Sequence, residues 1–183
     1  MVKLDFQAMN ETWKEALWGQ LGAAIAMVEN ALRACPEELL VDRSRRPELW
    51  YMAYHTLFYV DYFCDPAPAE FRPAAFDSFG LAELLDEKDA PPFERAYTKA
   101  ELLGYLEGGR EKCRSRIAAL TDEEAARRAD IDWLPLPVAE VLLYNLRHVQ
   151  HHAAQLNLLL RQAIDEAPRW VARTRQPLRD SGA

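Results

Sequence analysis

The chain has 183 residues, half of them apolar or aromatic and 28% charged, with a formal net charge of −7. That is one ordinary domain with enough apolar side chains for a single core. The acidic balance argues against a nucleic acid or an anionic membrane as partner, because either calls for a net basic face. Neither of the longest uncharged apolar stretches, 16–28 and 49–60, reaches the roughly 18 residues of a membrane span. The start lacks a basic segment followed by an apolar run and a small-residue cleavage site, so no leader is expected. Cys35, Cys64 and Cys113 show neither metal nor redox spacing and read as reduced thiols, which points to the cytoplasm.

An Ala- and Leu-rich pattern predicts a first helix over about residues 9–34, stopped by Pro36. A second is expected over 47–64, with Pro47 as its first helical residue. It is apolar nearly all round (Leu49, Trp50, Met52, Leu57, Phe58, Val60, Phe63). Such a helix is buried on most sides, in the domain and against another copy, so a homodimer is expected. Residues 65–97 carry Pro66, Pro68, Pro73, Pro91 and Pro92 and read as a long crossover with one helical turn near 81–85.

A third helix opens at Thr98-Lys99-Ala100-Glu101, which fits the capping box. It should run to about 120 past a weak spot at Gly108-Gly109. A second box, Thr121 to Glu124, opens a short helix ending near Ala129. The fourth long helix starts at Pro137 and lasts until Pro168 forbids more. The fold class is therefore all-α: a four-helix bundle with a long crossover loop between helices two and three. Residues 1–167 form this domain. Residues 168–183, with Arg169, Arg173, Arg175 and Arg179, read as a basic, flexible and solubilising tail.

The chain holds only four histidines, and three of them, His148, His151 and His152, fall within five residues. On a helix, residues four apart share a face, so His148 and His152 point the same way, the geometry that HExxH zinc helices use. With His148 at zero and roughly 100° per residue, the apolar stripe (Val138, Val141, Leu142, Val149, Leu156, Leu159, Leu160) centres near 80°. His152 falls at about 40° and His151 near 300°, among Glu140, Arg147 and Gln162. The first two turn inward and His151 belongs to the polar face.

An open catalytic site usually takes three protein ligands. The remaining histidine, His55, sits inside the apolar second helix and needs a polar partner there. Meeting His148 and His152 through a metal ion would supply one. Gln155, Asn145, Tyr51 and Tyr59 are candidates to hydrogen-bond the other ring nitrogens. With an ordinary imidazole pKa near 6.5, metal affinity should drop below roughly pH 6. The bland alternative is a set of satisfied core histidines. A ferritin-like site fails because the residues three before His55, His148 and His152 are Met52, Asn145 and Val149, none of them Glu. No HExxH, Gly-rich phosphate loop or nucleophile elbow appears.

These residues resemble the DinB/YfiT superfamily of metalloenzymes. The resemblance covers roughly 13–162. It is carried by Leu17-Trp18-Gly19-Gln20 with Glu29-Asn30-Ala31-Leu32, by Trp50-Tyr51-Met52-Ala53-Tyr54-His55-Thr56, and by Tyr144-Asn145-Leu146-Arg147-His148-Val149-Gln150-His151-His152-Ala153-Ala154-Gln155-Leu156. It implies a four-helix bundle whose divalent metal is held by one histidine of helix two and an HxxxH pair of helix four, here His55, His148 and His152. Gln155 matches the polar residue that commonly follows the second helix-four ligand.

The resemblance further implies a thiol-dependent S-transferase or isomerase, in which a low-molecular-weight thiol meets the metal and a small-molecule electrophile. Zinc or nickel is the favoured metal, although three imidazoles also suit copper and iron. Two other readings stand beside it: a metal-dependent hydrolase, and a non-catalytic metal-binding or stress-response dimer.

Overall fold

Six α-helices appear among the residues described by the computed structural model, which are 6–72 and 95–179, with side chains from residue 11 onward. They are α1 (Phe6–Ala34), α2 (Glu37–Leu40), α3 (Leu49–Phe63), α4 (Lys99–Ala119), α5 (Asp122–Ala126) and α6 (Val138–Ile164). The described residues hold no strand, only an isolated bridge between Arg128 and Pro137. None of these helices is long and apolar enough to cross a membrane.

Local chemistry explains the helix ends. At the start of α4, Thr98 accepts from the Glu101 backbone N–H while the Glu101 carboxylate accepts from the Thr98 backbone N–H, a complete capping box. The second expected box is half made. Thr121 caps α5, but the Glu124 carboxylate pairs instead with Arg116 and Arg127, and the helix ends at Ala126. Pro47 lies outside α3, and Glu48 takes the cap position, its carboxylate accepting the Trp50 indole N–H at 2.7 Å. α6 stops before Pro168 because Asp165 turns left-handed, with φ 59°. The short α2 after Pro36, which buries Leu39 and Leu40, had no signal strong enough to anticipate.

α1 and α3 each pack against both α4 and α6. α1 supplies Leu17, Leu21, Ile25, Val28 and Leu32, a buried stripe at three- and four-residue spacing. Twelve of the fifteen residues of α3 are buried within this one chain, so its apolar faces are covered by α4 and α6. Gly109, half of the expected weak spot, is where α4 approaches α3: a Cβ there would meet Val60 Cγ1 at 3.2 Å. The expected turn at 81–85 and most of the crossover lie outside the described residues.

Cys64 and Cys113 are joined in a disulfide, Cα to Cα 5.3 Å, which links the end of α3 to α4. This corrects the expectation of three reduced thiols. The cysteine argument for a reducing compartment does not hold for this pair, while Cys35 remains free and buried. Chain beyond α6 lies along α1. The Trp18 indole donates to the Gln176 carbonyl at 2.8 Å, the Thr174 N–H donates to the Gly19 carbonyl at 3.0 Å, and Leu178 is buried. Gly19 and Gly22 permit this approach: a Cβ at either would come within 2.9 Å of Arg173 or Thr174.

Candidate metal centre

The facing sides of α3 and α6 are two ladders built on four-residue steps. α3 presents Tyr51, His55, Tyr59 and Phe63, and α6 presents Tyr144, His148 and His152. The helices run antiparallel here, so the rungs pair in reverse order. Phe63 meets Tyr144 with ring centroids 5.4 Å apart, Tyr59 meets His148 at 4.8 Å, and His55 meets His152 at 4.9 Å.

Three imidazoles converge at the histidine end of the ladders. His148 Nε2 lies 3.3 Å from His55 Nε2 and 3.1 Å from His152 Nε2. The ligand atoms of all three fall within 4.8 Å of one another, and no carboxylate among the described residues joins them. Nitrogens held about 2.0–2.1 Å from one cation at angles of about 90–110° stand roughly 2.9–3.4 Å apart. The two short separations fit that range.

Protonation suits the same role. Burial pushes the His55 pKa down to about 4, and neighbouring His152 adds to the effect. Burial pushes His148 down to about 3, reinforced by His152, His55 and His151. Both rings are therefore neutral at pH 7, as ligands must be. The sequence expectation assumed ordinary imidazoles; burial among aromatic rings changes that premise for two of the three.

Gln155 fixes His152. Its Oε1 lies 2.7 Å from His152 Nδ1. A carbonyl oxygen only accepts, so Nδ1 carries the hydrogen and the Nε2 lone pair points toward His148. Asn145 does not play the expected part. It is fully buried, but its Nδ2 donates to Cys64 Sγ at 3.5 Å and its Oδ1 has no partner. His148 Nδ1, also buried, is likewise unpartnered. Tyr59 lies edge-on to His55 at 4.9 Å, and Tyr51 stands 6.4 Å from it. His151 is exposed and outside the convergent set, although its ring stands 5.1 Å from that of His152.

A cleft of about 580 Å³, lined by α6 residues that include Tyr144, Arg147 and His151, reaches this centre only through His148. Phe63 and Trp133 pack together, ring centroids 6.0 Å apart, and Trp133 stands 6.5 Å from Tyr59. Sequence reading passed over both. Phe63 looked like core, and Trp133 stands among Ile131, Leu134 and Leu136 in the connection before α6, a signal that periodicity cannot separate from an ordinary loop anchor.

A family model described as the DinB superfamily matches residues 20–156, a span that contains all three converging histidines. No curated protein and no solved structure gives a significant match.

Proposed function

We propose that this chain, which belongs to the DinB superfamily, holds one divalent transition metal with His55, His148 and His152 and acts as a thiol-dependent S-transferase or isomerase. The observation that carries the metal reading is the mutual approach of three Nε2 atoms on two helices. When bound, such a cation lowers the pKa of a coordinated thiol and yields a thiolate nucleophile at neutral pH.

The chain's own residues prepare for that chemistry. Burial keeps His55 and His148 neutral. Gln155 holds His152 in the tautomer whose Nε2 is free to coordinate. Tyr59, edge-on to both His55 and His148, excludes water from one side of the cluster. A three-histidine set leaves coordination positions for a small-molecule thiol, and zinc or nickel is the metal we favour. Hydrolysis is the weaker reading, because no carboxylate among the described residues stands in the cluster to act as base.

The same reading takes the four long helices as a four-helix bundle with its crossover between α3 and α4, working as a homodimer. Light scattering tests the dimer, whose interface must now be sought away from the covered faces of α3. Elemental analysis of the purified protein tests the metal. A thermal-shift series of low-molecular-weight thiols on metal-loaded and metal-free protein tests the activity class. A thiol that stabilises only the loaded form supports it. Bound metal with no response to any thiol favours a non-catalytic metal-binding protein instead.

A further inference from the structure

Among the described residues, few large apolar side chains remain exposed, and Trp133 at 48% is one of them. Its position is fixed by the connection between α5 and α6. Ala129 N–H donates to the Leu136 carbonyl and Val138 N–H to the Arg127 carbonyl, both at 2.9 Å, and Leu134 N–H closes a turn onto Ile131. Ala129 and Ile131 are buried as anchors. The Trp133 ring packs against Tyr59 and Phe63.

Those two rings are also the neighbours of His148, at 4.8 and 6.3 Å. An unbroken aromatic run thus leads from the histidine cluster to a held, half-exposed indole. A tryptophan serving only as a loop anchor would bury its ring as Trp18 and Trp50 do. Here two ring contacts restrain the indole while half of it stays open to solvent. Restrained aromatic surface beside a few polar groups is how small-molecule sites gain affinity without ordering a side chain on binding.

We infer that Trp133, backed by the buried rings of Tyr59 and Phe63, presents a recognition surface for an aromatic or flat apolar substituent on the molecule that takes the open metal position. This rests on the metal reading given above, and it makes Trp133 a specificity-determining residue. An indole offers an extended apolar face, and offset or edge contacts with a second ring add to simple area burial.

The test uses cobalt(II)-loaded full-length protein, its visible bands titrated with 4-methylimidazole and 4-phenylimidazole. Both coordinate through the same ring, and neither depends on thiol chemistry. The phenyl ligand is expected to bind roughly tenfold tighter. Trp133→Leu should bring that ratio near one, Trp133→Phe should restore most of it, and Trp170→Ala, at an exposed tryptophan on the C-terminal segment, should leave it unchanged. A wild-type ratio near one overturns the inference, and that measurement stands alone should the leucine variant fail to fold. A ratio that survives in Trp133→Leu, or falls equally in Trp170→Ala, also overturns it. Failure of the protein to bind cobalt at all overturns the metal reading and the inference with it.

Discussion

Gln155 and His152 lie three residues apart on α6, and the amide oxygen of the first sits 2.7 Å from Nδ1 of the second. This one contact decides which nitrogen of His152 faces the cluster. Replacing Gln155 with Leu keeps the bulk and removes the acceptor, so His152 can flip or change tautomer. Metal affinity should fall by about 10- to 100-fold, while Gln155→Glu should retain or strengthen binding. Calorimetric titration with zinc checks both, and an unchanged affinity in the leucine variant would mean that His152 needs no external orientation.

His151 and His152 are adjacent in sequence but differ in placement. His152→Ala removes a converging ligand and should abolish stoichiometric metal binding. His151→Ala, on the exposed face, should leave binding within about twofold, as expected for a surface residue outside the converging set. Equal losses in the two variants would identify a loose surface chelate in place of a shaped site.

Burial lowers the pKa of His55 to about 4 and of His148 to about 3, whereas in the unfolded chain both titrate near 6.5. Above about pH 6.5 both states are neutral and these rings add no pH dependence. As pH falls below that value, the unfolded chain takes up protons that the folded site refuses, so the folded state loses stability. The loss approaches roughly 1.4 kcal/mol per pH unit for each ring until the folded pKa is reached. Metal-free protein should therefore melt progressively lower between pH 6.5 and 4.5, and His55→Phe should flatten the dependence. Circular-dichroism melts at stepped pH measure it, and a wild-type melting temperature independent of pH over this range would contradict the burial argument.

Cys64 and Cys113 share a disulfide, while Cys35 is a free thiol that burial pushes up to about 11. Protein unfolded without reductant should show one titratable thiol, and three after reduction. Three thiols before reduction would place the pair in the reduced state.

Much of the fold was legible because helix signals are local. Thr98 and Glu101 act within one turn, and Thr121 caps α5 as its position foretold. Where local reading slipped, a nearby competitor had intervened. Arg116 and Arg127 took the Glu124 carboxylate, and Glu48 displaced Pro47 from the helix start.

The same division holds for the site. By itself the sequence determined that His148 and His152 share a face of one helix, that His151 does not, and that Gln155 follows one turn later, since a 3.6-residue period fixes these directions without any neighbour. Tertiary structure alone decided that His55, 93 residues before His148, comes within 3.3 Å of it. It alone paired Cys64 with Cys113, laid 171–178 over Gly19 and Gly22, and stood Trp133 against Tyr59. Each of these contacts depends on the register at which two distant segments pack. Many registers satisfy the same apolar pattern, and the one adopted is selected by how all the side chains of the core interlock at once.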